Sequence, residues 1–151
     1  MITVLQRVAE AAVDVDGERV GSIGPGLLLL VGVARGDTRA DAVATASKVV
    51  GLRVFPDGSG AMNFSVADTR GEILVVSQFT LCADVRRGRR PSFDGAAPPA
   101  EAVELIAALV EELRGLGLTV AEGRFGARMQ VSLVNDGPVT ITLATESGRV
   151  V

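Results

Sequence analysis

The sequence predicts a single α+β domain: a mostly antiparallel sheet carrying two substantial helices. Three observations lead there. Short alternating or apolar runs, divided by glycine- and proline-rich breaks, recur in both halves of the chain. Two longer stretches place apolar residues at helical spacing. No repeat, linker or low-complexity tract divides the 151 residues, a length typical of one domain.

The elements follow in order. Residues 2–8 alternate and read as a strand. Residues 12–15 and 18–23 flank Asp16-Gly17, a favoured two-residue hairpin turn. After the break at Gly24-Pro25-Gly26, residues 27–34 are apolar throughout, as in a central strand buried on both faces. Thr38, with Asp41 three residues on, begins a helix that ends near Gly51. Its apolar face holds Ala42, Ala46, Val49 and Val50. Residues 52–55 suggest a short strand, and Pro56-Asp57-Gly58 a turn. Residues 72–81 begin as a β-branched strand and end in polar groups. Residues 82–99 read as a loop. Residues 101–114 form the clearest helix, with Val103, Ile106, Ala107 and Val110 as its apolar face. Residues 118–121, 129–135 and 139–143 read as closing strands.

Composition narrows the chemistry. With no histidine, Ser-His-Asp and Cys-His catalysis and imidazole acid–base work are excluded. One cysteine excludes an internal disulfide and Cys₄ zinc sites, so neither a metal nor another cofactor is expected. The start of the chain is too polar for a signal peptide. The longest apolar run falls far short of the ~20 residues that span a bilayer. A cytoplasmic protein with no membrane partner is expected. The net charge of −3 means that any nucleic-acid contact has to be local.

Four segments could carry chemistry. Ser77-Gln78-Phe79-Thr80-Leu81 puts two hydroxyls and an amide at the end of an apolar strand, where backbone N–H groups can also face a substrate. On pattern alone an ordinary strand running into a loop is the favoured reading, and no base partners either hydroxyl as a nucleophile. Asn135-Asp136-Gly137-Pro138-Val139-Thr140 reads locally as a hairpin turn. A cis bond before Pro138 would instead turn two consecutive carbonyls the same way, as a rigid acceptor pair. Gly123-Arg124-Phe125-Gly126-Ala127-Arg128-Met129-Gln130 can form a shallow pocket for a flat base, or pack into the core. Arg86-Arg87-Gly88-Arg89-Arg90 is the one concentrated positive charge, either a phosphate footprint or a solvated loop. Cys82 has no evident partner and reads as a small hydrophobe.

Together these segments resemble the D-aminoacyl-tRNA deacylases, also called D-tyrosyl-tRNA deacylases. The signatures are Ser77 to Leu81 and Asn135 to Thr140. Gln6-Arg7-Val8, Met62-Asn63, Arg90 to Phe93, Gly123 to Phe125 and Met129 to Val134 support them. The resemblance covers nearly the whole chain. It implies a β-barrel-like α+β homodimer with active sites at the dimer interface, spanning residues 1–151 as one deacylase domain. The implied reaction is hydrolysis of the ester joining a D-amino acid, or glycine, to the terminal adenosine of tRNA. Gly137 and a cis Pro138 of one subunit would enter the partner's pocket, where their carbonyls hold the substrate's α-amino group and exclude L-amino acids. Ser77, Gln78, Phe79 and Thr80 would line the other side. Phe125 and Met129 would hold the adenine, Gly126 and Ala127 would shape its pocket, and Arg7 would support the Gly-Pro loop. Such a site needs only backbone groups, water and the RNA's own 2′-hydroxyl. A Thr80 nucleophile and a non-catalytic tRNA-binding module are the alternatives.

Overall fold

Leu27, Leu28, Leu29 and Val31 are all inaccessible to solvent because their strand lies between two apolar layers. This strand is β3 (Gly26–Gly32) in a computed structural model that describes residues 1–151. Leu27, Leu29 and Val31 face a core shared with two helices, α1 (Arg39–Gly51) and α2 (Pro99–Gly115). Leu28 faces the opposite way, into a smaller core with Val8, Val13, Leu74 and Val76. Two-sided burial is what a continuous apolar run is suited to.

The sheet is organised around β1 (Ile2–Val15). Its first half pairs antiparallel with β3, and its second half with β2 (Glu18–Ile23). Along the other edge it pairs with β8 (Gln130–Glu146), from Ile2 opposite Ala144 to Asp14 opposite Gln130. Beyond β3 lie β6 (Glu72–Ser77) and then β7 (Val120–Glu122), both parallel to their neighbours. The short β9 (Arg149–Val150) pairs with the end of β8. The sheet curls so that β2 meets β7 at Gly21, where any Cβ would overlap the Glu122 carbonyl. This is the barrel-like form that was expected, with a parallel segment added.

That parallel segment fixes the helices. Parallel neighbours need a crossover, and α1 joins β3 to β6 as α2 joins β6 to β7. Two successive crossovers of one hand, in one direction along the sheet, leave both helices on the same face. Asp41 secures the start of α1. One carboxylate oxygen accepts from the Thr38 N–H (2.8 Å) and hydroxyl (3.0 Å). The other accepts from the Gly148 N–H (2.9 Å), which ties the helix to the β8–β9 turn.

Several expectations change. Residues 2–8 and 12–15 belong to one bulged strand, β1. The short strand expected at 52–55 is β4 (Phe55–Pro56), paired with β5 (Met62–Phe64). α2 begins at Pro99, where a proline lacks only a donor that the first turn cannot use. It buries Ala102, Ile106, Ala108, Leu109, Val110 and Leu113, so Ile106 and Val110 lie on the apolar face as expected, while Val103 and Ala107 are exposed. Helical spacing sets the period of that face, but the sheet and α1 choose its direction. The strand expected over 72–81 stops at Ser77, and residues 79–82 turn into a single 3₁₀ turn (Phe79–Cys82). Finally, residues 135–140 are not a hairpin turn. Asn135 pairs with Val8 and Thr140 with Gln6, so the chain leaves β1 and returns to the same edge in the same direction. Residues 136–139 bulge outward opposite Arg7, and the two closing strands are one.

Candidate functional site

Seven of the residues singled out from sequence line one cavity of about 380 Å³: Ser77, Gln78, Phe79, Phe125, Gly126, Ala127 and Met129. One wall is the end of β6 and the 3₁₀ turn after it. The Gln78 N–H donates to the Val31 carbonyl (2.7 Å), which holds this end against β3. Gly32 makes the approach possible, since a Cβ there would lie 3.0 Å from both the Gln78 carbonyl oxygen and the Leu81 Cβ.

The opposite wall is the segment between β7 and β8. The Gly123 N–H donates to the Val75 carbonyl (2.9 Å), which keeps this segment beside β6. The chain then turns at Gly126, whose φ of +74° suits glycine, and the Ala127 N–H donates to the Arg124 carbonyl (3.2 Å). Met129 returns beneath the turn. Its sulfur occupies the space beside Gly123, where a Cβ would lie only 2.7 Å away. Pro99 and Ala102 of α2, with Val76 and Val131, complete the lining. These four were missed because each reads as an ordinary apolar residue, and only the fold brings them to one place.

The chemistry of the lining is distinctive. None of its side chains is ionisable, so no protein acid or base stands in the cavity. The backbone N–H groups of Phe79 and Thr80 open the 3₁₀ turn and have no acceptor within the chain. Thr80 is exposed and, of the predicted Ser77–Thr80 wall, is the one residue that does not line the cavity. Its hydroxyl oxygen accepts from the Gln78 side-chain amide, which leaves the hydroxyl hydrogen free. Burial pushes the Cys82 thiol up, and Asp37 adds to the shift. It therefore stays a thiol that donates to the Val33 carbonyl (3.5 Å), not a nucleophilic thiolate.

Gly137 and Pro138 stand elsewhere. Their peptide bond is cis, both residues are exposed, and neither lines the cavity. Their loop begins at Asn135, roughly 13 Å along β8 from Val131 at 3.3 Å per residue. The loop is braced from below. Arg7, only 8% exposed, donates from Nε to the Asp136 carbonyl (3.0 Å) and from Nη1 to the Val54 carbonyl. Asn135 donates to the carbonyls of Arg7 (3.1 Å) and Val139 (3.0 Å), which closes the base of the loop. Gly137 has φ +138° and Arg7 Nη2 lies 2.9 Å from where a Cβ would stand, so the position has no room for a side chain. Val54 carries no sequence signal as an anchor because it acts through its backbone.

A second cavity, of about 450 Å³, lies between β1, β2 and β8. Glu10, Arg19, Ser132 and Leu133 are among its lining, and no residue assigned a site role is. Unlike the first, it is lined by ionisable side chains, Glu10 and Arg19. No helix is long and apolar enough to cross a membrane.

Comparison with known proteins identifies the family. Residues 4–144 match the family model described as D-Tyr-tRNA(Tyr) deacylase. A "D-aminoacyl-tRNA deacylase" of Roseiflexus castenholzii is 59% identical over 143 residues, covering 95% of this chain and 91% of the relative. One of Heliobacterium modesticaldum is 55% identical over 149 residues and covers 99% of both chains. Among solved structures, one titled "c-Myc DNA Unwinding Element Binding Protein" superposes with a TM-score of 0.91 at 42% identity. It covers 97% of this chain and 100% of that one.

Proposed function

The chain belongs to the D-Tyr-tRNA(Tyr) deacylase family, and on that premise we propose that it hydrolyses the ester joining a D-amino acid, or glycine, to the terminal adenosine of tRNA. One observation carries the reading for this chain. The segment Ser77–Phe79 and the turn Phe125–Met129 meet around one cavity that contains no ionisable side chain. Phe125 and Met129 hold the adenine by stacking and sulfur contact. Water attacks the ester carbonyl, and the unpaired N–H groups of Phe79 and Thr80 receive the developing oxyanion. The neighbouring 2′-hydroxyl of the RNA relays the water's proton to the departing 3′-oxygen. The products are a free amino acid and tRNA.

Chiral selection requires a second copy. On one chain the Gly137–Pro138 loop stands apart from the cavity, so the loop of one subunit serves the cavity of its partner in a homodimer. Exposed Met62, Phe64, Phe79 and Val134 supply apolar surface for such an interface. The carbonyls of Gly137 and Pro138 bind the α-amino group, and an L-side chain collides with them. Rejection by collision leaves the D-side chain unread, so many D-amino acids are accepted. Residues 1–151 act as one domain, in the cytoplasm where aminoacyl-tRNA is found, with no cofactor. The reading in which Thr80 is the nucleophile has less support, since the hydroxyl's one partner is an amide and not a base.

Incubation with D- and L-tyrosyl-tRNA tests the reading. Fast release of D-tyrosine with the L-ester spared is expected. No release, or equal release of both, would overturn it. A trapped acyl-enzyme that is lost in Thr80→Ala would move the chemistry to Thr80.

A further inference from the structure

The arginine loop is not used by the chemistry above, yet its base is anchored to a ring that lines the same cavity. Asp84 and Ser92 pair backbone to backbone, at 2.8 and 2.9 Å, and close the loop at its base. Next to that base, the Phe93 ring packs edge-on against Phe79, with centroids 5.0 Å apart. Phe79 lines the cavity, so the orientation of the loop is set by the site itself. Gly88 makes the tip with φ +70°. Arg86 is already matched with Asp84 at 2.7 Å. Arg87, Arg89 and Arg90 are exposed and form no ion pair. Three uncompensated guanidinium groups thus stand on a loop anchored to a cavity-lining ring, in a protein whose net charge is −3.

We infer that Arg87, Arg89 and Arg90 bind the backbone phosphates of the single-stranded RNA leading to the terminal adenosine. This rests on the deacylase reading and adds to it the element that holds the polynucleotide. From Phe93 to Gly88 the bent loop reaches at most about 17 Å, at 3.3 Å per residue. A stacked strand passes several phosphates in that distance, at one per about 3.4 Å. The loop carries guanidinium groups, which pair with phosphate through two parallel hydrogen bonds. With an acidic protein overall, attraction to RNA has to be concentrated where the RNA enters, and this loop is that place.

The test compares the unaltered protein with the triple variant Arg87→Gln, Arg89→Gln, Arg90→Gln. A charge-matched control alters the exposed Arg19, Arg70 and Arg149. D-tyrosyl-tRNA hydrolysis is measured from 50 to 200 mM salt, with binding of uncharged tRNA alongside. Each phosphate contact on a single strand contributes about 0.7 to the slope of log affinity against log salt, so three contribute about 2. The KM of the loop variant should rise, with kcat little changed. Its kcat/KM should lose up to about 20-fold less than the unaltered protein over that fourfold change in salt. Lysine at all three positions should restore most of the slope, because counterion release reads charge. Unchanged KM and slope in the loop variant, or an equal loss in the control, overturn the proposal. So does a fall in kcat alone, which would place the loop in the chemistry. If the unaltered protein hydrolyses no D-ester, the deacylase reading fails by itself, and the salt dependence of tRNA binding still decides the role of the loop.

Discussion

Replacing Arg7 by methionine should cost both stability and activity, because a single buried guanidinium carries the Gly137–Pro138 loop. The stem of methionine fills much of the same space, so the loss is mainly of hydrogen bonds. The Val54 carbonyl belongs to a buried residue, and losing its donor leaves it unpaired at a cost of about 1–3 kcal/mol. The Asp136 carbonyl belongs to an exposed residue and can turn to water, so its bond accounts for about 1 kcal/mol or less. The ion pair with the Asp136 carboxylate is 3.4 Å long and that side chain is 57% exposed, so solvent screening leaves about 0–1 kcal/mol. The total is near 3 kcal/mol, which for a chain of this size lowers Tm by about 6–12 °C. With its brace gone, the loop no longer holds its carbonyls in place. Misplacement on the scale of 1 Å lowers kcat/KM by roughly 10- to 100-fold. Scanning calorimetry and D-tyrosyl-tRNA hydrolysis, run on the same preparations, check both numbers. Asp136→Asn is the internal contrast, since it keeps the carbonyl that Arg7 binds and should shift Tm by about 4 °C or less. A methionine variant with unchanged Tm and normal D-ester hydrolysis would refute the reasoning, as would an Asp136→Asn loss equal to that of Arg7→Met.

Two further outcomes follow from the same geometry. Burial opposes the charge on Asp41, but the donors of Gly148 and Thr38 outweigh it and hold the carboxyl below its usual range. Its stabilisation is therefore complete above the unfolded pKa of about 4 and is lost as pH falls through the lower folded value. Asp41→Asn should cost about 1–3 kcal/mol near neutrality, and the gap from the unaltered protein should close below about pH 4 in denaturant titrations. A gap that stays constant down to pH 2 would show that the charge is not what matters. Gly123→Ala puts a Cβ 2.7 Å from the Met129 sulfur. A thioether gives way easily, so stability should change by about 1 kcal/mol or less, while KM for D-aminoacyl-tRNA rises roughly 3- to 10-fold. An unaltered KM would remove Met129 from the adenine site.

Much of this molecule was legible in one dimension because some residues state their own local physics. Apolar residues 27–34 announce a strand buried on both sides, Asp16-Gly17 announces a turn, and Thr38 with Asp41 announces a helix start. The Ser77–Leu81 motif and the Phe125–Met129 segment named most of the cavity wall, and the absence of histidine described the kind of chemistry it can hold. Errors arose where a local pattern has more than one spatial solution. Asn-Asp-Gly-Pro is good turn chemistry, but whether its flanks pair with each other or with a third strand depends on β1, far away in sequence. Helical spacing in residues 101–114 sets the period of an apolar stripe, while the position of the sheet selects Leu109 and Leu113 over Val103 and Ala107.

By itself the sequence determined the fold class, the periodicity of its elements and the chemical vocabulary of its site, since these depend on side-chain type and near neighbours. Only the tertiary structure decided that Ser77–Phe79 and Phe125–Met129 share one cavity, and that Arg7 carries a loop held more than a hundred residues away. It also separated that loop from the cavity within a single chain. Those relations are contacts between distant segments, made by strand pairing and crossover direction, and no window of sequence contains both partners.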